Sequence, residues 1–254
     1  MIDLHCHLLP GIDDGPSSLE ESLALAGLAA HNGITHAIVT PHIHPGRWNN
    51  DQFLIARLCN RFRLRLAYAG IPLTLGMAAE VRVDSELIQW LQQDKIPFLG
   101  NFKGKRALLL ELPHSHIPLG TDNLIAWLQQ RNIQPLIAHP ERNKDVIRKL
   151  DSIMPLVKQG CLLQITAGSI TGQFGKPAQR RARQLLEMDA VFAIATDAHN
   201  CKSRPPNLAQ GRDAASTIVG AERAHQLVTT NPLQLVSSQF SQHEKKGSLS
   251  QQSL

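Results

Sequence analysis

Short apolar runs alternate with longer amphipathic stretches along nearly the whole chain. The runs near 1–5, 35–40, 73–79, 107–111, 134–138, 161–165 and 191–195 read as strands. The stretches near 17–31, 50–68, 84–93, 121–131, 143–158, 174–188, 208–218 and 221–229 read as helices. Ser17 and Ser18 ahead of Glu20 and Glu21 form a helix start signal, and Thr121-Asp122 opens another helix. Gly33, Gly70 and Gly160 stand where helices should stop. Strands separated by helices pair in parallel, and about seven such units suit a barrel better than an open sheet. The expected fold is α/β, a single-domain distorted (β/α)7 TIM-like barrel over residues 1–235. A polar tail over 236–254, rich in Ser, Gln and Lys from Ser241 to Leu254, is expected to be disordered.

Composition narrows the class. A chain of 254 residues suits one large domain, and 43% hydrophobic with 19% charged residues is ordinary for a soluble globular protein. No apolar run approaches the roughly 20 residues that span a bilayer, so no membrane insertion is expected. Met1 leads almost at once into Asp3-Leu4-His5, which does not read as a signal peptide. Four scattered cysteines form no CxxC pair, which argues against a disulfide scaffold or a thiolate zinc site and for a cytoplasmic location. The net charge of +5 is a weak pointer to anionic partners. Arg57, Arg61, Arg63 and Arg65, and Arg180, Arg181 and Arg183, read as solvated helix faces. One Tyr and seven Phe give little to stack single strands on, so no nucleic acid partner is expected.

The chemistry collects at strand ends. His5 and His7 close the first strand at a spacing that puts both side chains on one face, with Cys6 pointing the other way as a structural residue. Asp13-Asp14-Gly15 follows in a turn, and Thr40-Pro41-His42 ends the second strand. Glu80, Glu111 and His139 end the next three, and Asp197-Ala198-His199 ends the last. The C-terminal ends of the strands are where a β/α barrel carries its active site. Mixed His and carboxylate ligands without thiolates suit Mn²⁺, Fe²⁺ or Zn²⁺. Such ions lower the pKa of bound water toward 7 and hold phosphate oxygens. Arg142, three residues after His139, and Arg204, five after His199, would bring planar forks for phosphate to the same mouth. His44, His114 and His116 stand near that rim with open roles, whereas His31, His36, His225 and His243 read as ordinary helix-end or surface residues. Cys59 and Arg65 match the C-x5-R spacing of thiol-based phosphatases, but the residues between them continue a helix and include no glycine to cradle phosphate.

The opening His-x-His, the Asp-Asp-Gly turn, Thr-Pro-His and the closing Asp-Ala-His resemble the signature of the polymerase-and-histidinol-phosphatase (PHP) superfamily. Closer still, G-I-D-D-G-P at 11–16, T-P-H-I-H-P-G at 40–46 and A-H-P-E-R at 138–142 resemble its CpsB/CapC branch. That branch comprises bacterial manganese-dependent protein tyrosine phosphatases linked to capsule and exopolysaccharide production. The resemblance spans 1–235 and implies the PHP fold with three divalent metal ions, Mn²⁺ first among them. It puts His5, His7 and Asp197 on one ion, with Glu80 bridging to a second that Glu111 and His139 complete, and Asp14, His42 and His199 on a third. Arg142 and Arg204 would be catalytic. The implied reaction is hydrolysis of a phosphotyrosine protein by a metal-activated hydroxide. The implied substrate is the cytoplasmic tail of a tyrosine autokinase of polysaccharide biosynthesis. A small-molecule phosphatase of the histidinol-phosphate type and a PHP nuclease are the alternative enzymes. A metal-free scaffold is disfavoured because no ligand position is vacant. Asn143 stands where many relatives have Tyr, which bears on the shape of the substrate mouth.

Overall fold

The computed structural model describes residues 1–250, with side chains described through 240. Its strands are β1 (Ile2–Cys6), β2 (His36–Val39), β3 (His42–Ile43), β4 (Thr74–Met77), β5 (Glu80–Arg82), β6 (Gly100–Phe102), β7 (Lys105–Glu111), β8 (Ile133–Ala138), β9 (Leu162–Thr166) and β10 (Ala193–Ala195). Parallel pairing runs β1–β2–β4 on one side and β3–β5–β7–β8–β9–β10 on the other. Only Thr40-Pro41 separates β2 from β3, and only Ala78-Ala79 separates β4 from β5, so each pair is one interrupted stave. Proline cannot donate to a ladder, which accounts for the first break. The ring meets itself where Cys6 bridges Ala198, with Asp197 N donating to His5 O at 2.7 Å and His7 N to Ala198 O at 2.9 Å. Among the described residues, seven parallel staves therefore form the expected distorted (β/α)7 barrel. β6 adds an antiparallel strand on β7 that the sequence did not announce.

The helices are α1 (Leu19–His31), α2 (Gln52–Tyr68), α3 (Leu87–Gln92), α4 (Thr121–Gln130), α5 (Lys144–Arg148), α6 (Met154–Lys158), α7 (Ala167–Thr171), α8 (Lys176–Glu187), α9 (Leu208–Val219), α10 (Ala221–Val228) and α11 (Thr230–Ser250). Ser18 and Asp51 cap α1 and α2, accepting from Glu21 N and Leu54 N. The single helix expected over 143–158 is instead α5, a tight 3-10 turn at Leu150–Ser152, and α6. Pro155 explains the break, because it lacks the N–H that a continuous ladder needs. Cys59 is buried on α2 and so has no phosphate loop around it. The solvated reading of the arginine runs fails at two places. Arg63 donates to Leu75 O, and buried Arg181 donates to Ile147 O at 3.2 and 2.7 Å.

Two apolar layers hold the ring. The larger joins outward strand residues such as Val39, Leu108, Ile137 and Ile165 to the helices through Leu25, Ile55, Ile125 and Leu185. The smaller fills the inside with Ile2, Leu4, Ile38, Leu109, Leu136, Ala193 and Ala195. On β7 and β10 this inner face continues by twos from Leu109 to Glu111 and from Ala195 to Asp197, which places the polar site directly above the apolar filling. The other end of the barrel is closed by α11, whose Leu235, Val236 and Phe240 join the inner cluster. Gln239 Nε2 donates to Met77 O at 2.7 Å and to Leu99 O at 3.0 Å.

The helix therefore carries ordered, buried side chains past the expected domain end at 235 and through 240, which corrects the first residues of the polar tail. The side chains of 241–250 and all of 251–254 lie outside the described residues. A chain ended at residue 235 is expected to lose about 3–6 kcal/mol relative to one ended at 240, because full burial of a Val or Phe is worth about 1.5–3 kcal/mol. Urea unfolding of the two chains measures this, and equal midpoints would return 236–240 to the tail.

Candidate metal centre

The staves deliver polar side chains to one rim. His5 lies one residue before the end of β1 with His7 just beyond the strand, His42 opens β3, Glu80 opens β5 and Glu111 closes β7. His139 follows β8, Asp197 and His199 follow β10, and Asp14 comes from the turn after β1. All but Asp14 are buried. His139 and Asp197 hold φ of 31° and 52°, a left-handed conformation uncommon outside glycine that redirects the chain where the strand stops. Glu141 steadies the turn carrying His139 and Arg142, its Oε1 accepting from Thr166 N at 2.9 Å and Thr166 Oγ1 at 3.0 Å.

The nine expected ligands form one connected cluster. His5 Nε2 and His7 Nε2 lie 3.3 Å apart. His5 Nε2 is 3.2 Å from Glu80 Oε2 and 3.3 Å from Asp197 Oδ1, while His7 Nε2 is 3.4 Å from each. Beside them, Asp14 Oδ1 is 3.2 Å from Nε2 of both His42 and His199. The grouping departs from the expected one in two ways. His7 also faces the Asp14–His42–His199 set, and His42 stands with Glu80 and Glu111. His139 meets Glu80 at its other oxygen, Oε1, at 2.7 Å.

At the group of His5, His7, Glu80 and Asp197, hydrogen-bond roles leave acceptors only. Gln164 Nε2 donates to Ile165 O at 2.8 Å, so its Oε1 accepts from His5 Nδ1 at 2.9 Å. Asp13 Oδ2 accepts from His7 Nδ1 at 2.7 Å. Both Nε2 atoms therefore turn lone pairs toward each other and toward two carboxylate oxygens. Among the described residues, Glu80 Oε2, Asp197 Oδ1 and His199 Nε2 are buried without a hydrogen-bond partner. Such a set repels itself unless cations lie among it, so the residues present fit divalent ions. The electrostatics of the cluster make the same demand. Burial alone would lower His5, yet Glu80 and Asp197 raise it, and Asp13 does the same for His7 more strongly. Burial, helped by the His7 charge, pushes His199 down to about 4, and burial with Arg142 pushes His139 to about 4. Those two imidazoles are thus neutral, the form that binds a metal. Burial and the Glu80 charge raise Glu111 to about 7, against Arg82.

Arg142 and Arg204 both reach the cluster, each donating to Asp197 Oδ2. Burial opposes ionisation of Asp197, but His5 and the two guanidinium groups hold its carboxyl well below the usual range. The opening above the cluster has a volume of about 130 Å³ and is also lined by Arg47, Trp48 and Arg82. These three were missed from the sequence, as were Asp13, Gln164 and Phe174. Trp48 stacks on His42 at 4.6 Å and 9°, Arg47 lies 4.0 Å over Trp48, and Arg82 Nε is 3.1 Å from Glu111 Oε2. Asp13 alone had a local signal, the Asp doublet.

His44 faces Trp48 edge-on instead of entering the cluster. His114 lines a cavity of about 200 Å³ that adjoins the site through Glu111, His139 and Arg142. His116 is exposed, its Nδ1 2.8 Å from Ser115 Oγ. Asn143 caps α5 and donates to Pro113 O and His116 O, pinning that loop.

Compared with known proteins, the chain matches the family model for capsular polysaccharide synthesis, CpsB/CapC, over residues 1–237. It is 35% identical over 204 residues to the tyrosine-protein phosphatase YwqE of Bacillus subtilis (strain 168), covering 80% of this chain and 79% of that one. Against the tyrosine-protein phosphatase CpsB of Streptococcus pneumoniae it is 29% identical over 249 residues, 94% of this chain and 100% of that one. Among solved structures it is similar, at TM-score 0.86 and 31% identity, to a chain from the crystal structures of YwqE and CpsB, described there as unique metal-dependent tyrosine phosphatases. The match covers 92% of this chain and 94% of that one.

Asp13→Ala removes the acceptor of both His7 Nδ1 and the His42 backbone N–H. It is expected to weaken Mn²⁺ binding by about 10–100-fold, the usual effect of deleting the group that orients a ligand histidine. Calorimetric titration of metal-stripped protein reads it; unchanged affinity would mean that Asp13 does not set the His7 ring.

Proposed function

Because this chain belongs to the CpsB/CapC family of capsular polysaccharide synthesis, we propose that it is a metal-dependent protein tyrosine phosphatase acting on a phosphotyrosine protein. The observation that carries the reading is the acceptor-only group of His5, His7, Glu80 and Asp197, fitted to divalent ions, with two guanidinium groups donating to Asp197 at its edge. In this reading the cluster holds three divalent ions, Mn²⁺ foremost. His5, His7, Glu80 and Asp197 serve the first, His42, Glu80 and Glu111 with His139 the second, and His7, Asp14, His42 and His199 the third. Ions bound there would supply a nucleophile from water near neutral pH and charge to hold phosphate oxygens.

The chain's own groups do the rest. Gln164 and Asp13 keep the protons of His5 and His7 on Nδ1, away from the centre. Trp48 holds the His42 ring from its face. Arg142 and Arg204, anchored on Asp197 Oδ2, turn their other N–H groups to the non-bridging phosphate oxygens, where a planar fork also fixes orientation. A tyrosine leaves as a phenol of pKa about 10, so it needs less help from a protein acid than a serine alkoxide does. That favours aryl phosphates. Among the described residues, no helix is long and apolar enough to cross a membrane. The substrate proposed is the cytoplasmic tail of a tyrosine autokinase of polysaccharide synthesis, which would place the enzyme in the cytoplasm.

The deciding assay compares a phosphotyrosine peptide, a phosphoserine peptide and histidinol phosphate, on metal-stripped protein with and without Mn²⁺. Mn²⁺-dependent preference for the phosphotyrosine peptide is expected, and preference for histidinol phosphate would overturn the substrate while keeping the centre. The double variant His5→Ala, His7→Ala should lose turnover and keep its circular dichroism spectrum. Retained turnover would sink the metal assignment.

A further inference from the structure

On the phosphatase reading, Arg142 and Arg204 must face the phosphate in a fixed relation, yet both hang on one oxygen, Asp197 Oδ2. Two like charges on a single acceptor repel. A second support is present. Arg142 Cζ lies 4.5 Å, and Arg204 Cζ 6.0 Å, from the centroid of the Phe174 ring. Both distances are within reach of the attraction between a cation and a ring face. We infer that Phe174 is a positioning residue, a shared aromatic plate that sets both arginines for phosphate; the inference rests on the phosphatase reading.

The surroundings are built for that ring. A Cβ at Gly168 would stand 2.8 Å from Phe174 Cε2 and 2.7 Å from Gln173 Oε1, so α7 passes the ring at a separation that excludes a side chain. Gly172 and Gly175 hold φ of +90° and +86° on either side, bending the segment between α7 and α8 so that Phe174 points to the site. Gln173 Nε2 donates to Ser203 O, tying this segment to the residue before Arg204. Phe174 is only half-buried, so filling the core is not its main use. Asp197 grips each guanidinium at one edge while the ring supports it from a face. Arg204 Nε is buried without a partner, a donor left for an incoming oxygen.

The test uses the Mn²⁺-loaded full chain and the variants Phe174→Leu, Phe174→Tyr and Gly168→Ala. Leucine removes the ring and keeps an apolar group. It is expected to raise the inhibition constant of inorganic phosphate, and KM for the phosphotyrosine peptide, by about 3–10-fold, as loss of a cation–ring contact implies. Mn²⁺ affinity and melting temperature should hold. Tyrosine should restore phosphate binding, and Gly168→Ala, which displaces the ring from the other side, should imitate leucine. A readout independent of turnover is the Nε–Hε resonance of Arg142, displaced upfield by the ring in the parent chain and not in Phe174→Leu. Equal phosphate affinity in parent and Phe174→Leu, or an Arg142 resonance indifferent to the change, would overturn the inference. If the parent hydrolyses no phosphoester while the resonance still moves, the phosphatase reading falls and the aromatic support of the arginines stands.

Discussion

Lone pairs aimed at one another from His5, His7, Glu80 and Asp197 are the constraint around which this barrel is arranged. Buried acceptors in such contact oppose folding unless positive charge lies among them. Around the cluster, Arg142, Arg204 and Arg82 bring positive charge to the edge. The centre is left to ions. Folding and metal binding are therefore linked, and the free energy of filling the centre is added to the stability of the barrel.

What lies beneath makes the repulsion bearable. The staves carry alternate apolar side chains inward, so the cluster rests on a packed interior that α11 closes at the far end. Directly below the site, Asp3 Oδ1 accepts from Thr196 N at 2.9 Å, fastening β1 to the end of β10. Burial raises Asp3 to about 6, with Thr196 and His5 opposing it, so even this structural carboxylate is part of the electrostatic accounting of the rim.

Much of this was legible because a barrel converts sequence position into spatial position. A polar residue closing an apolar run has one place to go, the rim, and all nine expected ligands are found there. Their grouping was not legible. Whether His42 or His139 stands between Glu80 and Glu111 depends on how staves twist past one another, and no local spacing records that. α11 was missed because its apolar positions at Leu235, Val236 and Phe240 are set among Ser and Gln, a composition that reads as tail until the barrel floor is seen. Arg63 and Arg181 looked solvated because a charged run is so by default, yet each guanidinium donates to a backbone carbonyl, Leu75 O and Ile147 O. Trp48 and Phe174 carry no motif at all. Their roles exist only once distant segments bring His42 and the arginines against their rings.

The closure of the ring has a consequence in time. The seam joins the first strand to the last, with Asp3 and Thr196 193 residues apart, and the cluster straddles it. A growing chain must hold its opening histidines in waiting until the final stave emerges, about 10–40 s later at ordinary rates of synthesis. During that interval the growing chain lacks Asp197 and His199, two of the nine side chains of the cluster. Competence arrives at one moment, when the two ends of the domain meet.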